Sequence, residues 1–145
     1  MKTKSILIIV VLAFIIGTNS FAQEKTYKDG SVWALSFIKV NYGQERDYLN
    51  SLKNTWKAVQ DEAIIQGLVL SYKILDGAST TPDDYNLILM IEYKDFAAFD
   101  TDDAKWEAIQ TKVVGNEDSQ KKLMQSRVTM RSMYGSKLMR EVVYK

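Results

Sequence analysis

The fold is decided by residues 68–93, which read LVLSYKILDGASTTPDDYNLILMIEY. Two segments rich in apolar, β-branched and aromatic residues flank a polar stretch, 77–84, that contains Pro82, the one proline of the chain. Segments of this kind on either side of a turn predict an antiparallel β-hairpin. We therefore expect strands over 68–76 and 85–93.

Side chains alternate between the two faces of a strand, so the hairpin presents two different sets of residues. One set is wholly apolar or aromatic and should pack on helices: Leu68, Leu70, Tyr72, Ile74, Leu87, Leu89, Ile91 and Tyr93. The other set is mixed: Val69, Ser71, Lys73, Leu75, Ile88, Met90 and Glu92. A register that suits the turn would place Lys73 opposite Glu92, with Ser71 beside them.

Upstream of the hairpin, the sequence predicts a strand and then a helix. Residues 32–40 are rich in β-branched and aromatic residues and end at an Asn-Tyr-Gly turn, which favours a strand. Over 45–66, apolar residues recur every three or four positions, which predicts an amphipathic helix that ends at Gly67. Its buried stripe should consist of Tyr48, Leu52, Trp56, Val59 and Ala63.

Downstream of the hairpin, we expect a second helical region in two pieces. It begins at Asp95 and is broken at Gly115-Asn116, and its first piece should bury Phe96, Phe99, Trp106, Ile109 and Val113. The second piece, about 117–134, should end at Gly135 and carry one stripe of Leu123, Arg127, Met130 and Tyr134. A short last strand is expected over 137–144.

The resulting order, β-α-β-β-α-β, is that of the split βαβ or ferredoxin-like class of α+β folds. It implies a four-stranded antiparallel sheet with helices on one face. Over roughly 32–144, the chain resembles the dimeric α/β-barrel superfamily. The segments LSYKIL (70–75) and MIEYK (90–94) resemble those of uncharacterised secreted bacterial proteins of that type.

This resemblance implies a homodimer in which two sheets meet through their uncovered faces. The alternative is a monomer with one partly solvated sheet face, which antiparallel sheets allow. The superfamily includes small monooxygenases of the antibiotic-biosynthesis type and stress-responsive barrel proteins. Several of its families use a histidine in the pocket, and this chain contains none, so their chemistry does not transfer.

The N-terminal residues 1–22 have the three parts of a secretory signal peptide. Lys2 and Lys4 precede an unbroken apolar run over 6–16, and Ser20-Phe21-Ala22 places small residues before a cleavage point. The apolar run is shorter than the roughly 20 residues that a membrane anchor needs. We predict cleavage after Ala22, a periplasmic or secreted location, a flexible lead-in over 23–30 and a single α+β domain over 31–145.

Composition excludes several classes of function. The chain has no cysteine and no histidine, which excludes Ser-His-Asp and Cys-His nucleophiles and removes the usual zinc and copper ligands. With 19 basic and 18 acidic residues and no basic block, it gives no electrostatic reason to bind nucleic acid or, after signal cleavage, a membrane. We predict neither a metal nor a cofactor.

Two polar groups are candidate ligand contacts. Lys73, Glu92 and Ser71 would form a polar cluster within a mostly apolar cavity, or simply an ion pair that supports the hairpin. Arg127 and Arg131, one helical turn apart, would grip a carboxylate or phosphate, or pair at the surface with acids such as Glu117 or Asp118.

Aromatic residues are the remaining candidates. Trp56 and Trp106 are assigned to the core. The alternative is that Trp56 and Trp106 form, with Trp33 and Tyr72, an aromatic lining for a flat ligand. The place of Trp33 stays open, because either face of the first strand is apolar enough to be the buried one.

Three functions fit these features. The first is a homodimeric, exported barrel that binds a small apolar or aromatic molecule. The second is a cofactor-free monooxygenase or isomerase in which Lys73, Glu92 or a tyrosine acts as acid or base. The third is a protein-protein interaction module that uses the mixed face of the sheet.

Overall fold

A computed structural model of the protein describes residues 24–100 and 103–145, so the predicted signal peptide lies outside the described residues. The strands are β1 (Tyr27–Val40), β2 (Ser71–Asp76), β3 (Leu87–Tyr93) and β4 (Arg131–Tyr144). The helices are α1 (Glu45–Leu52), a π-helical segment (Lys53–Lys57), α2 (Ala58–Ile65), α3 (Phe96–Phe99), α4 (Asp103–Val113) and α5 (Glu117–Met130).

The four strands form one antiparallel sheet in the order β2-β3-β1-β4. Helices α1 and α2 follow β1, and α3 to α5 lie between β3 and β4, so the predicted ferredoxin-like arrangement is confirmed. Because β1 and β3 are the inner strands, β2 and β4 form the two edges of the sheet.

Local chemistry sets the ends of the helices as the sequence indicated. Gly67 has a φ of +70° after α2, a conformation that favours glycine. Asp95 caps α3 by accepting a hydrogen bond from the backbone N–H of Ala98, and Asn116 caps α5 by accepting one from Ser119. The break between α4 and α5 therefore has a specific cause in the Gly115-Asn116 pair.

The two outer strand boundaries differ from our predictions. β1 begins at Tyr27, not at residue 32, so half of the expected lead-in is strand, paired with the end of β4 through Tyr27 and Tyr144. Helix α5 ends at Met130 and β4 begins at Arg131, so Gly135 does not end a helix. Gly135 lies inside β4 with a φ of +138°, where the pairing with β1 shifts by one residue at a β-bulge.

The hairpin register also differs from the expected one. Ser71 pairs with Glu92 and Lys73 pairs with Met90, so Lys73 does not face Glu92. The shift is two residues, which leaves every strand side chain on its predicted face because the pleat repeats every two residues.

The sheet therefore has two different sides. The helix side carries Val32, Ile38, Leu87, Leu89 and Tyr93, and the helices cover much of it. None of the described helices covers the open side, which carries Trp33, Leu35, Phe37, Ser71, Lys73, Leu75, Ile88, Met90, Glu92 and Met139. Trp33 therefore lies on the open side. The sequence had left the side of Trp33 undecided.

The core under the helices consists of two clusters. One joins Val32 and Tyr93 of the sheet to Val59, Ala63 and Ile109, with Trp106 at its edge. The other joins strands β1 and β3 to α1, with Trp56 at its edge, and includes Ile38, Leu87, Leu89, Tyr48 and Leu52. The predicted helix stripe and the core assignment of Trp56 and Trp106 are confirmed.

Four burial predictions and one helix assignment were wrong. Val69 is buried in the first cluster, whereas Leu70 is exposed, because regular strand begins only at Ser71 and the alternation does not hold before it. Phe96 and Phe99 are each 44% exposed, since α3 is a single turn beside the sheet rather than part of a long packed helix. Tyr134 lies in β4 and is also exposed.

Tyr72 links β2 to α2 through a hydrogen bond. Its hydroxyl donates to Asp61 Oδ1 at 2.8 Å, and Lys57 Nζ donates to Asp61 Oδ2 at 2.7 Å. The bonds from Lys57 and then from Tyr72 lower the pKa of Asp61 below its usual 3.8. A carboxyl whose pKa is lowered by folding contributes stability above its unfolded pKa, and that contribution is lost as the pH falls through the folded pKa.

We predict that Tyr72→Phe lowers the free energy of unfolding by about 0.5–1 kcal/mol near neutral pH, because Asp61 loses one hydrogen-bond donor. Urea unfolding of both proteins at about pH 7 and about pH 2.5 measures it, and most of the difference should vanish at the lower pH. Tyr144→Phe, at an exposed tyrosine, is the control and should change nothing. An equal loss at both pH values would contradict the assignment to ionised Asp61.

Candidate ligand sites on the two sides of the sheet

The open side brings together four of the residues predicted as ligand contacts. Trp33, Glu92 and Ser71 lie side by side on β1, β3 and β2. Ser71 Oγ donates to Glu92 Oε2 at 2.5 Å, and Lys73 Nζ lies 4.9 Å from the centre of the Trp33 ring. The polar cluster therefore exists, built from a hydroxyl-carboxylate bond and a cation–π contact.

The ion pair that we considered between Lys73 and Glu92 is not formed. The ion pairs of residues 24–100 and 103–145 include neither side chain. The two-residue difference in register explains this, because it turns Lys73 toward Trp33 and leaves Glu92 with Ser71.

Most of the open side around this cluster is apolar and half exposed. Phe37 packs on Tyr85 with ring centres 4.8 Å apart, and Leu75 and Met139 are 48% and 53% exposed. A contiguous apolar surface of this kind is typical of an interface rather than of a solvated sheet face.

The helix side contains a groove that the sequence analysis did not find. It has a volume of about 560 Å³ and lies over strands β1, β3 and β4. The side chains that line it on this side are Ala34, Ser36, Ile91, Tyr93, Phe99, Ser136 and Leu138. We call it the helix-side groove, and its volume lies within the range of small-molecule sites.

Small side chains and a gap in the helical layer together explain the groove. Ala34 and Ser36 lie between the large Val32 and Ile38 on the same side of β1, and Ser136 pairs with Ser36 on β4. Helix α4 packs mainly against α2, so little covers β4 beyond its first residues. The groove therefore lies at the centre of the sheet, where the side chains are small and the helices give little cover.

Aromatic rings form one wall of the groove. Tyr93 and Phe99 meet edge to face with ring centres 5.3 Å apart. Burial raises the pKa of Tyr93 above its usual 10.0, so its hydroxyl stays protonated at neutral pH. Leu35 and Lys137 line the groove through their backbone, because their side chains belong to the open side, where Lys137 lies near the Phe37 ring.

One sequence signal for the groove was present. Ala34 and Ser36 are small residues at alternate positions of a strand whose other buried residues are large. The pattern becomes informative only when the neighbouring strand and the position of the helices are known, since a helix side chain would otherwise fill the space.

Arg127 and Arg131 lie on the helix side, away from the polar cluster of the open side. Arg127 is the last basic residue of α5 and Arg131 the first residue of β4, so they do not belong to one helix as predicted. Even so, both line one pocket at the junction of α5 and β4. Neither takes part in an ion pair with Glu117, Asp118 or any other described acid.

Two further properties of residues 24–100 and 103–145 bear on function. No group of three or more histidine, cysteine, aspartate or glutamate side chains is placed to hold a metal ion among them. The helices in the same ranges are all too short or too polar to cross a bilayer.

Comparison with known proteins gives similar solved structures. No protein-family model matches the chain, and no curated protein matches it. HapK from Hahella chejuensis is 15% identical, with a TM-score of 0.48 over 76% of this chain and 91% of its own.

Two dimeric ferredoxin-like proteins from an uncultured marine organism are also similar in structure. One is 16% identical, with a TM-score of 0.46 over 80% of this chain and 96% of its own. The other is 14% identical, with a TM-score of 0.46 over 81% and 90%. Their dimeric state is a property of those proteins, and the fold assignment here rests on this chain's own sheet topology.

Proposed function

We propose that this protein is an exported homodimer that binds a small apolar or aromatic molecule in the helix-side groove. The observation that carries the proposal is the groove itself, about 560 Å³ in volume, with mostly apolar walls and few polar groups. Sites for small molecules combine these features, because apolar walls supply affinity and a few polar groups set orientation.

The chemistry of the lining favours binding over acid-base catalysis. Of the side chains that line the groove on the helix side, Tyr93 is the ionisable one, and its raised pKa makes it a hydrogen-bond donor at neutral pH rather than a base. Lys73 and Glu92, the acid-base candidates of the sequence analysis, lie on the open side. Ser36 and Ser136 would serve as further hydrogen-bond partners for a polar atom of the ligand.

A second copy of the chain is the partner that we propose for the open side. Leu35, Phe37, Ile88 and Met90 form its half-buried centre, and the longer edge strand β4 contributes Met139. Burying these residues against an identical surface would remove apolar area from water on both subunits. Trp33, Lys73 and Glu92 would then lie inside the dimer.

The proposed ligand site predicts the effect of filling the groove. Ser136→Leu adds apolar bulk to its floor and should weaken binding of naphthol, a neutral aromatic probe, by about tenfold or more, because the probe and the new side chain compete for one space. Calorimetric titration of the mature chain measures this. Thr111→Leu, which adds the same side chain at an exposed position of α4, should bind naphthol like the wild type. Unchanged binding by Ser136→Leu would exclude the groove.

The proposed dimer predicts the effect of charge on the open side. Leu75→Glu and Met139→Glu should convert a dimer into a monomer, because each would bury an unpaired carboxylate at the interface. Size-exclusion chromatography with light scattering measures the mass. Ile65→Glu is the matched control, since Ile65 is 79% exposed at the end of α2. A monomeric wild-type chain would overturn the proposal.

The proposed export predicts a shortened chain. Expressed in a Gram-negative host, the full-length protein should be recovered outside the cytoplasm with Gln23 as its first residue, because the signal peptidase cuts after small residues such as Ala22. Mass spectrometry of the intact protein measures the cleavage. Ala22→Lys should block it, and Gln23→Asn, just beyond the cut, should not. Recovery of the uncut chain from the cytoplasm would contradict export.

A further inference from the structure

Arg127 and Arg131 are two cationic side chains with no acidic partner in the part of the chain that the structure describes. The ion pairs of residues 24–100 and 103–145 join other residues. Each guanidinium also has a buried Nε without a hydrogen-bond partner. A partly buried cation and a buried donor without a partner are both unfavourable, so this pair is an unsatisfied feature of the described chain.

The two arginines are held in place rather than loosely exposed. Arg127 Nη2 donates to Thr55 Oγ1 at 2.6 Å, and Thr55 in turn donates to the backbone oxygen of Ser51. Arg131 lies over the ring of Tyr48, which is 1% exposed, with its guanidinium carbon 6.0 Å from the ring centre. Both long side chains are therefore already ordered in the free protein, so binding a ligand costs less conformational entropy.

Thr55 belongs to the π-helical segment between α1 and α2. Such segments interrupt the regular hydrogen bonding of a helix and occur frequently at functional sites. Here the interruption lies where Thr55 accepts the bond from Arg127, so the irregular turn and the arginine are parts of one arrangement.

A further unsatisfied group lines a cavity that Arg127 also lines. Gln60 is 3% exposed, and its Oε1 has no partner among the described residues. It shares a cavity of about 60 Å³ with Arg127 and Thr55. A space of this size accommodates a water molecule or two, which would satisfy Gln60 but would leave the positive charges uncompensated.

A second pocket that Arg127 lines is larger and has apolar walls. It has a volume of about 420 Å³ and is lined by Met124, Arg127, Val128, Arg131, Ser132 and Met133. Met124, Val128 and Met133 are between 50% and 75% exposed. Two guanidinium groups at one end of an exposed apolar surface are complementary to a molecule that has an anionic head and an apolar tail.

We propose that this pocket, between the end of α5 and the start of β4, binds an organic carboxylate with an apolar tail. Arg127 and Arg131 hold the carboxylate, and Met124, Val128 and Met133 contact the tail. The pocket shares no lining residue with the helix-side groove, so this second site goes beyond the proposed function and does not depend on it.

The charge state of Arg127 supports this assignment. Its pKa is lowered, first by burial and then by the neighbouring Arg131, while Tyr48 acts in the opposite direction. A bound carboxylate would counter both lowering effects, since it supplies a negative charge and hydrogen-bond acceptors to a desolvated cation.

The test is calorimetric titration of the mature chain with decanoate below its micellar concentration. We expect decanoate to bind, decanol to bind at least about tenfold more weakly, and inorganic phosphate to show no saturable binding, because the site needs both a carboxylate and a tail. Equal binding of decanol would overturn the role of the arginines. Phosphate binding as tight as that of decanoate would overturn the tail contact and indicate an inorganic-anion site.

Two variants locate the site without disturbing the core. Arg131→Met should weaken decanoate binding by about tenfold or more, and Arg46→Met, at an exposed arginine of α1, should leave it unchanged. Val128→Glu, at a position that is 75% exposed, places a carboxylate beside the arginines and should abolish decanoate binding while raising the thermal midpoint. Decanoate binding that survives both Arg131→Met and Val128→Glu would overturn the proposal.

The same variants separate this site from the helix-side groove. Naphthol should bind to Arg131→Met as it does to the wild type, and decanoate should bind to Ser136→Leu as it does to the wild type. Loss of both ligands in either variant would mean that the two pockets form one site, and the proposal of a separate carboxylate site would then fail.

Discussion

The alternation of side chains along β1 is the constraint on which the rest of this structure depends. β1 is an inner strand and pairs with β3 on one side and β4 on the other. Val32, Ile38 and Val40 point to the helix side and are almost fully buried, whereas Trp33, Leu35 and Phe37 point to the open side and are only half buried. One strand thus supplies the centre of the core and the centre of the exposed apolar surface.

The helices complete only part of this sheet. Helices α1 and α2 pack over β1 and β3 through Tyr48, Leu52, Val59 and Ala63, which are all buried. The second helical region packs largely on α2 and leaves β4 exposed. The helix-side groove, the pocket beside Arg127 and the exposed edge strand are three consequences of that incomplete cover.

Regular periodicity was a reliable guide, and its failures occur where the backbone is irregular. The helix stripe from Tyr48 to Ala63 and the faces of β2 and β3 follow from local patterns, because the repeat of the backbone fixes the direction of each side chain. Val69 and Leu70 were assigned incorrectly since they precede the regular strand. Gly135 was interpreted as a helix end, although the same freedom of φ serves a bulge in β4.

The candidate sites also contain some features that local sequence patterns predict and others that they do not. The polar cluster of Ser71, Lys73 and Glu92 could be predicted as a group, because strand alternation places them on one face in any register that differs by two residues. Which residue contacts which could not be predicted, since a shift of two residues preserves the faces and changes every partner. The helix-side groove was missed because its floor, Ala34, Ser36 and Ser136, joins strands that are far apart in the chain.

The amino-acid sequence was sufficient to specify the order of strands and helices, the apolar stripe of α1 and α2, and the absence of histidine and cysteine chemistry, because these depend on composition or on neighbours a few positions apart. Tertiary structure was needed to decide the hairpin partners, the side of the sheet on which Trp33 lies, the groove, and the environment of Arg127 and Arg131. Each of these depends on distances between segments that are remote in sequence. Those distances are set by how the helices pack on the whole sheet.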